Sequence, residues 1–124
     1  MAKPDVVVRL ADKLAKIDEH WTPYVVGQLN DLYIKVVKVE GEFVWHEHAD
    51  TDEFFLVISG ALTIELEGMD DAELEAGDFF VVPQGVRHRP VAEEECELLL
   101  LEPAGTPNTG EVTYSELASP EQWL

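Results

Sequence analysis

Gly41-Glu-Phe-Val-Trp-His46-Glu-His48-Ala-Asp-Thr-Asp-Glu53-Phe-Phe-Leu-Val-Ile-Ser-Gly60 is the stretch on which the fold turns. Read as extended chain, residues 42–48 place Glu42, Val44, His46 and His48 on one face, and Phe43, Trp45 and Glu47 on the other. Two imidazoles spaced i, i+2 on a strand point to the same side of the sheet. Ala49-Asp50-Thr51-Asp52 is a polar link long enough to reverse the chain and return Glu53 beside them. His88 follows His48 by forty residues, behind the turn Pro83-Gln84-Gly85. Three imidazoles and a carboxylate converging at one place suit Fe, Mn, Ni, Co, Cu or Zn, and leave positions open for water or substrate. A bare His-x-His is more often an ordinary surface pair, so the surrounding pattern has to decide.

Outward from this stretch, short β-branched or aromatic runs dominate: residues 32–39, 42–48, 54–58, 61–67, 79–82 and 97–101. Glu40-Gly41, Ser59-Gly60, Glu67-Gly68, Ala76-Gly77 and Pro83-Gln84-Gly85 punctuate them as turns. Many short strands at close spacing predict an all-β barrel or sandwich. Before them, Leu10, Leu14 and Ile17 recur at helical spacing, which predicts a short amphipathic helix within residues 6–19, ended by Trp21-Thr22-Pro23-Tyr24. Residues 103–124 hold three prolines and two glycines and read as mostly irregular, with a helical turn starting at Ser119-Pro120-Glu121. No repeat or linker is visible, so residues 1–124 read as one domain: helix and arm over 1–31, barrel core over 32–102, tail over 103–124. Residues 79–82 and 98–101 are apolar on both faces, so something covers part of the barrel's outside, the helix or a second copy of the chain.

The first stretch resembles the first conserved motif of the cupin superfamily, G(X)5HXH(X)3-4E(X)6G, with one residue fewer between Gly41 and His46. Gly77-Asp-Phe-Phe-Val-Val-Pro83-Gln-Gly85-Val-Arg-His88 resembles the second, G(X)5PXG(X)2H(X)3N, with Ala92 where that motif ends in asparagine. The resemblance implies a small jelly-roll β-barrel whose metal ligands are His46, His48, Glu53 and His88, with one divalent transition metal per subunit. It also implies a homodimer, since the N-terminal segment of many cupins reaches across to a second subunit.

Eight basic against twenty-six acidic side chains give a net charge of −18. Such a surface repels phosphate backbones and anionic lipid, which argues against nucleic-acid and membrane partners. The charge is segregated: residues 1–38 carry net +1, while residues 39–124 carry net −19, with Arg87 and Arg89 their sole basic residues. The apolar runs are far shorter than a spanning helix requires. With a single cysteine, Cys96, no internal disulfide can form, in keeping with the cytoplasm.

Among other groups, Glu42 is in phase with the histidines and is a weak candidate for proton transfer. Tyr33 and Lys35 are candidate pocket lining. His20 reads as a histidine at the helix C-terminus, Arg87 and Arg89 as charges facing away from the pocket, and Cys96 as a buried, inert thiol. Without a nucleophile–base pair or phosphate loop, catalysis would rest on the metal. The expected function is a metal-dependent enzyme acting on a small polar metabolite, a sugar or organic acid. Isomerase-, epimerase- or lyase-like chemistry stands ahead of dioxygenation. The alternative is a non-catalytic cupin that binds metal or metabolite.

Overall fold

The computed structural model describes residues 7–112 and 115–124; residues 1–6 of the expected arm and 113–114 of the expected tail lie outside the described residues. It holds one short helix, α1 (Leu10–Leu14), and seven strands: β1 (Tyr24–Leu29), β2 (Leu32–Glu42), β3 (Glu53–Ser59), β4 (Ala61–Leu66), β5 (Ala72–Glu75), β6 (Phe79–Val82) and β7 (His88–Pro103). All strand pairs are antiparallel, in the order β1-β2-β7-β3-β6, with β4 joined to β7 and β5 to β4. The all-β jelly-roll architecture expected from the sequence is present.

The sixteen-residue β7 organises the barrel. Its first part (His88–Val91) pairs with β4, its last part (Glu97–Leu101) pairs with β3, and β2 runs along its other edge. One strand is thus shared by both halves of the roll, and its alternation decides what points inward. Ala92, Cys96, Leu98 and Leu100 pack inside with Val37, Val39, Phe55, Val57, Leu62, Ile64 and Leu74. This buried set is the main apolar driving force for the fold.

On the outside, α1 lays Leu14 over Val26 and Val36, with Ile17, just past its end, in the same cluster. The helix ends at Leu14, so His20 is no helix terminus; it is exposed and its Nε2 lies 2.8 Å from Glu95 Oε1. Among the described residues, no helix is long and apolar enough to cross a membrane.

Several local expectations are corrected. Residues 43–48 form no strand beyond a single bridge, His46 to His88. The register of β2 against β7 slips between Val39 and Gly41, and Gly41 takes a left-handed φ of 85°. The inward phase of β2, with Lys35, Val37 and Val39 buried, continues through Phe43 and leaves Glu42 exposed; the phase changes between Phe43 and His46, where the chain has left the strand. The strands β1 and β5 were not expected, because β1 is interrupted by an irregularity at Val25/Gly27 and β5 is the acidic run Ala-Glu-Leu-Glu. The helical turn at Ser119 does not form; Glu121 there reaches back to Lys35 and to the Gly105 amide.

Candidate metal centre

His46 and His88 face each other across the bridge that joins the two segments, through His46 N–H to His88 O at 3.0 Å and His88 N–H to His46 O at 2.8 Å. The backbone therefore holds the two rings together before any ligand arrives. Each ring places its Nδ1 2.9 Å from the carbonyl oxygen two residues earlier, Val44 for His46 and Val86 for His88. Donation of the Nδ1–H to these carbonyls leaves the Nε2 lone pair free, the arrangement that orients ligating histidines in metal sites. Gly85, with φ of 77°, turns the chain ahead of His88, and its N–H bonds His48 O at 2.9 Å.

Glu53 opens β3 and points inward, 4% exposed. Its Oε1 lies 3.2 Å from His88 Nε2 and 3.1 Å from His48 Nε2. The His48 contact is misaligned for a hydrogen bond, so His48 Nε2 is a buried nitrogen without a partner. The donor atoms of His46, His48, Glu53 and His88 all lie within 4.8 Å of one another, and all four residues are buried. A buried, unpartnered imidazole nitrogen beside a carboxylate and two pre-oriented imidazoles is a donor set that fits a divalent transition metal.

The electrostatics agree. Burial, and after it the neighbouring His88, pushes His46 down to about 4, so its ring is neutral near pH 7. Burial would raise Glu53, but His48 and then His88 hold its carboxyl well below the usual range. Burial would lower His48, but the same carboxylate wins and raises it.

The structure brings together His46, His48, Glu53 and His88, the four residues expected as ligands, and leaves Glu42 outside. Glu42 lies on the barrel's exterior, 3.6 Å from Arg89 Nη1. Arg89 also binds Glu65 at 2.7 Å, and Arg87 lies 3.6 Å from Glu67, so both arginines offset surface acids as expected. Cys96 is fully buried, and burial raises its thiol to about 11. Tyr33 packs edge-on against Trp123.

Lys35 is buried, with Nζ 2.8 Å from Glu102 Oε1 and 2.9 Å from Glu121 Oε2. Glu102 escaped the sequence reading. It is 1% exposed, and its Oε2 has no hydrogen-bond partner. Burial and then the charge of Glu53 push it up to about 8, against the pull of Lys35. Its signal was present: Leu98, Leu100 and Glu102 share one face of β7, which puts a carboxyl in line with two core leucines.

The C-terminal segment closes over this cluster. A side chain at Gly110 would collide with the Glu47 carbonyl and crowd the His46 ring at 3.3 Å. Glu111 accepts the Glu47 N–H at 2.8 Å. The cluster has two different sides. Toward the barrel interior lies a cavity of about 30 Å³ lined by His46, Glu53, Trp21, Phe43, Val39 and Leu98 among others. Toward the outside lies a polar crevice of about 350 Å³ that includes His48, Asp50, Thr51, Thr106, Gly110 and Glu111.

The comparisons with known proteins agree with this architecture. The family model Cupin_2, described as a cupin domain, matches residues 33–102. The uncharacterized protein YdbB of Bacillus subtilis (strain 168) is 30% identical over 89 residues, 72% of this chain and 76% of its own. A cupin-2 domain containing protein of Shewanella frigidimarina NCIMB 400, known from its crystal structure, is 48% identical. That match covers 78% of this chain and 94% of the other, with a TM-score of 0.76. Hydroquinone 1,2-dioxygenase of Sphingomonas sp. TTNP3 superposes with a TM-score of 0.73 over 92% of this chain and 41% of its own, at 22% identity, which speaks for the fold. A rolled antiparallel barrel, two histidine-bearing turns bridged backbone to backbone, and a family match from β2 to β7 lead to one conclusion: the chain belongs to the Cupin_2 family of cupin domains.

Proposed function

We propose that this chain is a metal-dependent enzyme of small-molecule chemistry, with one divalent transition metal per subunit held by His46, His48, Glu53 and His88. The observation that carries this is the buried convergence of the four side chains, whose donor atoms all lie within 4.8 Å of one another. When bound, the metal supplies Lewis-acid polarisation of a substrate oxygen. The chain's own part is to fix the donors: carbonyls of Val44 and Val86 orient two rings, and the core excludes bulk water behind them.

The substrate class we favour is a small polar metabolite, an organic acid or sugar, entering by the polar crevice beside His48. Isomerase- or lyase-like chemistry fits a Lewis-acid centre. The test is turnover of small hydroxy acids, keto acids and sugars by the wild type and by Glu53→Ala. An enzyme loses turnover in the variant. Ligand uptake without turnover in either protein overturns the reading in favour of a non-catalytic binder.

We also infer a homodimer. Two uncharged rows cross the outer face of the sheet, Ile34-Leu101-Phe54-Val81 and Val36-Leu99-Leu56-Phe79. The helix covers the β2 end, while Phe79 at 63% and Val81 at 40% exposure remain open on β6. Chains of charge −18 repel one another, so an acid-free face is where two copies can meet. Light scattering should give a dimer for the wild type and a monomer for Phe79→Lys; a monomeric wild type overturns this. The buried thiol of Cys96 is in keeping with a cytoplasmic protein.

A further inference from the structure

We propose that Lys35 Nζ and the Gly105 N–H form a binding site for a small free carboxylate, and that Glu121 of the C-terminal segment fills it as the chain's own occupant. The site is separate from the metal cluster: none of His46, His48, Glu53 and His88 lines it, and the inference stands without a metal. It opens on a crevice of about 250 Å³ between Lys35 on β2 and two stretches of the C-terminal segment, 105–108 and 119–121.

Glu121 shows what the site takes. Its Oε2 lies 2.9 Å from Lys35 Nζ, and the Gly105 N–H donates to Oε1 at 3.0 Å and to Oε2 at 3.1 Å. A buried ammonium and a backbone N–H aimed at one carboxylate make charge-assisted hydrogen bonds. Lys35 is 3% exposed and also meets Glu102 Oε1 at 2.8 Å. Burial would strip it of its charge, but Glu102 and then Glu121 outweigh that and keep it an ammonium. The crevice holds one further donor: Ser119 Oγ is buried and, among the described residues, has no partner. The other polar groups on the wall are committed, Thr106 Oγ1 to Pro103 O at 2.7 Å and Asn108 Nδ2 to Leu117 O at 2.9 Å. A free carboxylate on Lys35 therefore gains a hydroxyl contact that Glu121 does not make.

The Glu121 side chain can leave without the segment moving, because the chain on either side of it is held elsewhere. Before it, the Ser119 N–H bonds Asn108 Oδ1 at 3.1 Å. After it, Gln122 O accepts the Val25 N–H at 2.8 Å, the Leu124 N–H bonds Val25 O at 3.0 Å, and Leu124 O accepts from Lys13 Nζ at 3.0 Å. The Glu121 side chain is 27% exposed, so rotation into solvent vacates the seat and leaves its walls in place. As a tethered competitor it acts at an effective concentration on the order of millimolar, which makes a free carboxylate bind the wild type weakly.

The experiment is amide NMR of the full chain, wild type and Glu121→Ala, titrated separately with acetate, acetamide and inorganic phosphate. Acetate should shift the Gly105 and Thr106 amides saturably, about tenfold more tightly in Glu121→Ala than in the wild type. Acetamide, which has the same shape and no charge, should leave them unmoved, and phosphate should bind more weakly than acetate. Adding Lys35→Met, with Glu102→Gln as well if the single change does not fold, should abolish the acetate response. If Glu121→Ala releases the segment, seen as moved Val25 and Leu124 amides, Glu121→Gln takes its place with the same order of affinities expected. No saturable response in the variant, equal affinity in variant and wild type, or an equal response to acetamide or phosphate overturns the proposal. So does an acetate response that survives the loss of Lys35, which would put the acetate at the metal cluster.

Discussion

Gly110 and Glu47 lie backbone to backbone, so close that a side chain at Gly110 would run into the Glu47 carbonyl oxygen. This contact clamps the C-terminal segment onto the turn that carries His46 and His48. Gly110 also takes a left-handed φ of 58°. Gly110→Ala therefore meets both a backbone collision and a conformational penalty of about 1 kcal/mol or more. The variant should lose thermal stability and release metal faster than the wild type. Thermal melting with and without chelator checks this; an unchanged metal release rate would show that the segment does not brace the site.

The buried Lys35–Glu102 pair gives a second prediction. Lys35→Met removes the donor from between Glu102 and Glu121 and leaves the buried Glu102 carboxyl without its hydrogen-bond partner. Stranding a buried polar group in this way costs about 1–3 kcal/mol. The double variant Lys35→Met with Glu102→Gln removes the stranded carboxyl and should recover part of that loss. Urea titrations of the wild type, both singles and the double close the cycle. Additive losses would mean that the pair is not coupled.

Cys96 carries a pH prediction. Burial, with a smaller push from Glu97, raises its thiol to about 11 from an ordinary value near 9. The folded state keeps the thiol protonated while the unfolded chain ionises it. This contribution to stability is full below about pH 9 and is lost as pH rises toward about 11. Alkylation by iodoacetamide at pH 8 should be slow in the native protein and fast in denaturant. Rapid native alkylation would contradict the buried position of the residue.

The four candidate ligands were legible because each sits in a short, self-contained stretch. His46 and His48 are two residues apart, Glu53 follows one polar turn later, and His88 follows a proline–glycine turn. Local spacing puts His46, His48 and Glu53 close together, and the resemblance to the two cupin motifs implies that His88, forty residues further on, joins them. Glu42 shows the limit of the same reasoning. Alternation counted back from His46 and His48 predicts that it faces inward, but Glu42 keeps the phase of β2, in which Val37, Val39 and Phe43 are the buried positions. The phase changes after Phe43, where the chain has left the strand, and the side-chain pattern alone does not reveal such a change. Glu102 and Lys35 meet across the paired strands β2 and β7, sixty-seven residues apart, where spacing carries no signal. The strand β5 was hidden by composition, since glutamates on its open face mask the single buried Leu74.

Metal removal gives a fourth prediction. A ligand that binds the folded state alone, present at about 100 times its Kd, adds about 2.7 kcal/mol of stability. For a domain of this size that corresponds to a fall in Tm of about 10 °C on chelation. His88→Ala should melt at the same temperature with and without chelator. A wild type indifferent to chelator would mean that the four residues are held together by packing alone.

The most direct test of the central claim is the metal content per subunit of freshly purified wild-type protein beside His46→Ala, measured by elemental analysis. His46 is 1% exposed, and its Nδ1 lies 2.9 Å from the Val44 carbonyl oxygen, so its ring has one nitrogen to give. The account predicts about one Fe, Mn, Ni, Co, Cu or Zn per wild-type subunit and a clear loss in the variant. Wild-type protein without metal, even after reconstitution with each of these ions, or a variant that retains the wild-type amount, would contradict it.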